Sequence, residues 1–335
     1  MNTVVFPFSF DKEKANIIKG IAILMMMWLH TFMNFEITKS LNSFLTIGNV
    51  PLAFLIAKAC NPVGIFMTIS GYGLFKMLIR EGPNYTKTFS RLYRMMLPYW
   101  IVLVGGYFVI FCSGSWSFSM SDILYDITAY NPKTINPAWY ILPFVIMSFV
   151  FNFLYKSFNT HPYIWLVIGF VTYYANSYVY GHYWSSLKEN HLLLILLRNF
   201  EFLFPMLLGA FAAKKVHFKI HLSDRSFSII CVFFCGLMFL YSCRFGIPIY
   251  PIYCFVLVIL LANIQYEIHI NKVLIFLGKH SLNIWFIHIL VVPFAIKAKT
   301  PILVFFVLMI VSILVSVLVN RIKLFLKAFR CSSVN

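Results

Sequence analysis

Apolar residues along this chain come in long blocks, separated by short segments that are polar and mostly basic. The first block, residues 16–35 (NIIKGIAILMMMWLHTFMNF), is long enough to cross a bilayer as a helix, and similar blocks recur to the C-terminal end. The pattern predicts crossings at roughly 17–35, 61–79, 98–113, 138–155, 162–180, 191–213, 226–243, 247–265, 281–297 and 301–320. Residues 36–60 break it. There apolar residues mix with Glu36, Lys39 and Lys58 around a Gly48-Asn49-Val50-Pro51 breaker, which predicts a loop with an interfacial or re-entrant helix. The expected fold class is all-α: a polytopic transmembrane helical bundle of ten spans, forming one membrane-embedded domain over residues 1–335.

Composition sharpens this picture. Hydrophobic residues make up 61% of the 335 and charged ones 11%, against about 45–50% and about 25% in a soluble domain. The net charge of +17 would suggest nucleic acid in a soluble protein, but Lys and Arg gather between the apolar blocks, as orientation signals do. Ten crossings with both termini inside put Lys12, Lys14, Arg80, Lys87, Arg91, Arg94, Lys214, Lys215, Arg321 and Lys323 on the cytoplasmic side. They leave Lys39, Lys58, Lys133, Lys188, Arg244, Lys297 and Lys299 opposite. That asymmetry supports an N-in, C-in orientation. The first block is a full span, so it is expected to be retained rather than cleaved as a signal peptide. The seven cysteines lie in or beside apolar blocks without CxxC or Cys/His ligand spacing, which favours small apolar side chains over a disulfide framework or a metal site.

Candidate chemistry lies in polar residues that the spans do not need. His30 sits deep in the first block and Lys19 near its entrance. Eleven residues apart on a helix, they are separated by about 16 Å and return to nearly one face. An ionisable side chain inside a span marks a functional site by default, though a lone His can also be a hydrogen-bonded packing residue. An uncharged imidazole can act as a general base. Arg91 and Arg94, three apart at the cytoplasmic edge, form a pair suited to phosphate, or simply orientation charge. A phosphate-bearing donor held there and at Lys19 could pass a pantetheine-like arm to His30. Ser70 lies in a Ser-Gly-Tyr-Gly run that permits close helix approach. Trp139 and Tyr140 are interfacial aromatics able to stack on a sugar. Arg198 and Glu201, at i,i+3, are expected to satisfy one another, and His288 is a second intramembrane histidine.

Five segments together resemble the acyltransferase 3 family of integral-membrane acyltransferases. KGIAILMMMWLH is similar to its opening signature and VGIFMTISGYG to its second-helix segment. RLYRMMLPYW resembles its Arg-x-x-Arg segment, PAWYILPFVI its Trp-aromatic helix and LGKHSLNIWFIH its Gly-x-x-Ser…His segment. They occur in the family's order over residues 19–288. The resemblance implies an enzyme that moves acyl groups, often acetyl from acetyl-CoA, onto sugars of surface glycans. It gives His30 the essential histidine's place, Lys19 that of the preceding basic residue, and Arg91 and Arg94 that of the arginine motif. Ser70, Trp139 and His288 match patterned positions. Lys19 stands where many members carry Arg, and Trp285 where a Tyr is frequent.

The expected function is therefore a membrane O-acyltransferase acting on a bacterial surface polysaccharide or its lipid-linked precursor. Catalysis falls to His30, and binding of acetyl-CoA or another acyl-CoA to Lys19, Arg91 and Arg94. Ser70, Trp139, Tyr140, Glu201 and His288 bind substrate or support the site. No metal and no nucleic acid are expected; the partners are acyl-CoA, the glycan acceptor and membrane lipid, in a bacterial inner or plasma membrane. The rivals are an N-acyltransferase for a small amine, a glycan or lipid transporter, for which paired repeats with broken helices would be expected, and a non-catalytic scaffold.

Overall fold

A computed structural model describes residues 4–5, 11–41, 45–114, 117–187, 189–214, 219–220, 224–245, 249–263 and 267–332. Among them are thirteen α-helices: α1 (Lys12–Phe32), α2 (Phe35–Ser40), α3 (Leu52–Ala59), α4 (Pro62–Glu81), α5 (Tyr85–Cys112), α6 (Met120–Thr128), α7 (Ile141–Thr160), α8 (Pro162–Leu187), α9 (His191–Ala213), α10 (Asp224–Phe245), α11 (Tyr250–Asn263), α12 (Ile268–Ala295) and α13 (Pro301–Ser332). The chain is all-α apart from two short antiparallel strand pairs, Val4–Val5 with Lys219–Ile220 and Thr46–Ile47 with Val50–Pro51.

Among the described residues, seven helical stretches are long and apolar enough to cross a membrane: Lys12–Phe32, Leu52–Glu81, Tyr85–Cys112, Asn136–Thr160, His191–Ala213, Ile268–Ala298 and Pro301–Leu326. The other three expected spans are also helical. Ile229–Ser242 and Tyr250–Asn263 are apolar but shorter, and α8, with a kink at Tyr183, is not among the seven. The ambiguous stretch after α1 resolves into α2, a tight hairpin with Gly48 at φ +61°, and α3.

Local signals explain where the helices begin. Asparagine side chains accept from backbone N–H groups in the first turns of several: Asn34 from Ile37, Asn61 from Gly64, Asn84 from Lys87 and Asn190 from Leu193, at 2.9–3.1 Å. Pro62 occupies the first turn of α4, and Gly82, at φ +72°, ends that helix with its N–H on the Leu78 carbonyl.

The chain divides into two compact units. The first comprises residues 1–25, 58–88 and 143–278, the second 26–57, 89–142 and 279–335. In the first, α4 packs on α9 and α11, α8 on α9, and α10 on α11. Glycines set the closest of these contacts. A Cβ on Gly71 would lie 2.1 Å from the Met206 carbonyl oxygen, and one on Gly209 would lie 1.9 Å from that of Thr68. The start of α1 meets α12 in the same way, with Gly20 against the Leu274 carbonyl and Gly278 against that of Asn16. With no gain in hydrophobic burial to drive helices together inside a bilayer, such close backbone approach is what makes packing favourable. The close-approach reading of the Ser70-Gly71 run therefore holds at Gly71; Gly73 faces open space.

In the second unit polar groups, partly or fully buried, join α12 to α13. His280 Nδ1 lies 2.8 Å from Ser316 Oγ, and Asn283 Nδ2 donates to Asn320 Oδ1 at 3.0 Å and to the Ser316 carbonyl at 3.3 Å. Trp28 of α1 packs on Phe305 of α13 and donates through Nε1 to the Ala53 carbonyl of α3.

Candidate active site

His30 is half-buried in the last turn of α1. That helix ends at Phe32, because Asn34 begins capping α2, so the residue stands closer to the helix end than the length of the apolar block suggests. Its ring meets that of His288 at right angles, with centroids 5.0 Å apart. His288, on α12, is completely buried. Its Nδ1 lies 3.1 Å from the Ile284 carbonyl oxygen. A carbonyl only accepts, so Nδ1 carries the proton and Nε2 the lone pair. That Nε2 has no hydrogen-bond partner among the described residues. A buried polar atom without a partner is costly, and such atoms concentrate where a substrate or water completes the set.

The neighbours of His288 on α12 form an aromatic wall. Tyr140 lies against Trp285 with ring centroids 4.1 Å apart and stacks on Phe286 at 6.2 Å; Tyr99 of α5 flanks Phe286 at 5.3 Å. Trp285 and His288 are three residues apart and share a helical face, so Tyr140 borders the turn that carries His288. The Tyr140 hydroxyl is buried and, like His288 Nε2, lacks a partner among the described residues. Trp139 beside it is half-buried.

The loop ahead of Tyr140 is fixed by Asp126, a residue the sequence reading passed over. Its fully buried carboxylate accepts from Lys133 N at 2.5 Å, Thr134 Oγ1 at 2.6 Å, Thr134 N at 3.2 Å and Tyr107 Oη at 2.8 Å, and its backbone carbonyl accepts from Tyr99 Oη. These bonds fold residues 129–135 back and deliver the 3₁₀ turn Asn136–Tyr140 to the head of α7. At the start of α6, Ser119 and Asp122 form a capping box. The Lys133 ammonium, 2.5 Å away, together with Ser119, holds the Asp122 carboxyl down to about 2.

Arg91 and Arg94 share one face of α5 in this unit. Arg91 is half-buried, whereas Arg94 is exposed with its Nε donating to the Ser90 carbonyl at 3.2 Å. Two guanidinium groups so close suit an anion with several oxygens, such as a phosphate ester. The second unit thus holds His30, His288, Trp139, Tyr140, Arg91 and Arg94, and brings the two histidines into contact. Lys19, Ser70 and Glu201 belong to the first unit. Lys19 and Ser70 are half-buried on α1 and α4. Glu201 and Arg198, at i,i+3 on α9, attract one another through their charges, and Arg198 also engages Tyr180.

The hydrogen-bonded set His280, Asn283, Ser316 and Asn320, of which Asn283 and Ser316 are buried, was also passed over. Its signal is visible, since Ser312, Ser316 and Asn320 recur every four residues in an otherwise apolar block. Asp126 leaves a weaker trace, a single acid in a polar loop.

A family model described as an acyltransferase domain matches residues 13–321, nearly the full chain. No curated protein and no solved structure matches.

Proposed function

Since the chain belongs to the acyltransferase 3 family, and is a multi-pass membrane acyltransferase, we propose that it moves acetyl from acetyl-CoA to a sugar hydroxyl of a bacterial surface polysaccharide or its lipid-linked precursor. The observation that carries this reading is the contact between His30 and His288. Direct transfer needs a base to take the hydroxyl proton as the oxygen attacks the thioester carbon, and an acid to return it to the departing CoA sulfur. One imidazole at His30 does both in turn. His288, with Nδ1 committed to Ile284 and a lone pair on Nε2, is suited to share that proton or to accept a hydroxyl.

Arg91 and Arg94 take the CoA phosphates, and Lys19, on the same helix as His30, is a further cation for the donor. In this reading the chain crosses the membrane ten times with both termini in the cytoplasm, on the strength of the Lys and Arg asymmetry. The N-terminal end of α5, with its arginines, then faces the cytoplasmic acetyl-CoA pool.

The test is to incubate detergent-solubilised protein and its His30→Ala variant with radiolabelled acetyl-CoA, with and without a glycan extract. Label on glycan in the wild type alone is the expected result, and release of that label by mild alkali would identify an ester rather than an amide. Label retained on wild-type protein would indicate passage through an acyl-imidazole. Transfer by His30→Ala at the wild-type rate would overturn the mechanism.

A further inference from the structure

The transfer proposed above has a base, an acid and cations for the phosphates, but no group yet meets the charge that forms on the thioester. As the acceptor oxygen adds to the thioester carbon, the carbonyl oxygen becomes an oxyanion, and a fixed donor aimed at it is usually the largest single contribution to such a reaction. His288 does not supply that donor. Its Nδ1 proton is held by the Ile284 carbonyl, and its Nε2 carries only a lone pair. His30 is occupied with the travelling proton.

Tyr140 carries a hydroxyl with no other use. Its ring is 3% exposed, lies on Trp285 with centroids 4.1 Å apart and stacks on Phe286 at 6.2 Å. A ring so enclosed offers no face for a sugar to stack on, so the stacking role expected of it is closed. The hydroxyl is buried and has no hydrogen-bond partner among the described residues, although a buried O–H normally finds an acceptor. Phe would fill the same place without that cost. Trp285, on which the ring lies, precedes His288 by just under one helical turn, about 4.5 Å along α12, and His288 touches His30. The second unit holds a rival donor in Ser312 of α13, whose hydroxyl is also fully buried and unpartnered among the described residues. Ser312 lies one turn from Ser316, which bonds His280, two turns of α12 away from His288. Tyr140 borders the turn of His288 itself.

We propose that the Tyr140 hydroxyl donates to the carbonyl oxygen of the bound thioester, and more strongly to the oxyanion it becomes. The C–O bond forms as the acceptor proton passes to imidazole and the carbonyl π pair moves onto oxygen. That pair returns as the C–S bond breaks and the proton goes to sulfur. Tyr140 keeps its own proton throughout. The inference rests on the acetyl-CoA donor and the histidine mechanism proposed above.

The first readout needs no turnover. Full-length His30→Ala protein in detergent is loaded with acetyl-CoA isotopically labelled at the thioester carbonyl, and difference infrared spectroscopy reads the C=O stretch. The band should lie below that of free acetyl-CoA. Adding Tyr140→Phe should return it towards the free position, whereas adding Ser312→Ala should leave it shifted. A bound band in the Phe variant shows that the donor site survives the substitution. The second readout is kinetic. Tyr140→Phe alone keeps the aromatic stack and should lower kcat by about 10²–10³-fold, as on removal of one oxyanion donor, with KM for acetyl-CoA changed far less. A bound band at the same position with and without the Tyr140 hydroxyl, a shift lost in Ser312→Ala instead, or a wild-type kcat in Tyr140→Phe would overturn this assignment alone. Absence of any bound band in every variant would overturn the acetyl-CoA reading, and this assignment with it.

Discussion

The imidazole of His288 meets that of His30 edge to face at 5.0 Å, joining the end of the first long helix to the C-terminal third of α12. The two rings act on one proton in the proposed mechanism, so their losses should not add. His30→Ala is expected to abolish acetyl transfer. His288→Ala should lower kcat by about 10²–10⁴-fold, the usual range for general acid–base assistance. The double variant should be no worse than His30→Ala alone. Steady-state kinetics on the three proteins, each checked for a monodisperse elution profile, would decide this; additive losses would mean that the histidines work separately.

Donor binding gives a different signature. Arg91→Ala, Arg94→Ala and Lys19→Ala should raise KM for acetyl-CoA more than they lower kcat, with the difference from the wild type shrinking as salt rises. Arg91→Lys should rescue only in part, because an ammonium cannot make the planar two-point contact. An unchanged KM in all three alanine variants would remove the phosphate role.

The glycines separate packing from propensity. Gly209→Ala and Gly278→Ala each force a Cβ into a carbonyl at 1.9 Å and should cost about 1–3 kcal/mol. Gly73→Ala, also inside α4 but facing open space, should be neutral or stabilise by up to about 1 kcal/mol through helix propensity. Thermal unfolding of the three variants in one detergent would test the ordering.

Asp126 tests whether the loop matters to the site. Asp126→Ala strands the Lys133 and Thr134 N–H groups and two hydroxyls, and should cost about 3 kcal/mol or more. Asp126→Asn, which keeps an acceptor oxygen, should lose less. Hydrogen exchange over residues 129–140 should rise in the alanine variant before it rises elsewhere.

The neighbouring ion pair fixes a pH window. Asp122, held down to about 2 by Lys133 and Ser119, stabilises the folded loop fully above the ordinary carboxyl range. That contribution fades as pH falls below about 4 and is gone once pH drops through about 2. Protection of this loop should therefore be flat between pH 8 and 5 in the wild type. In Asp122→Asn, protection should be lower throughout, by an amount that added salt reduces.

Much of this was already written along the chain. Apolar block length dictates membrane helices, because backbone groups in lipid must be satisfied within the segment, and the Asn and Pro residues at block edges mark several helix starts. The family motifs lie at named positions, so His30, Arg91 and His288 could be singled out from sequence alone. What the sequence left open depends on long-range approach. Nothing local reveals that His30 and His288 touch or that Asp126 gathers the Lys133–Thr134 loop. Those relations depend on which helix faces meet, and in the first unit that is decided where backbones come closest, at Gly20, Gly71, Gly209 and Gly278. A glycine carries no side-chain pattern, so the contacts that set the packing leave almost no periodic trace. Helices follow from the order of residues, whereas contacts between distant residues follow from how those helices pack.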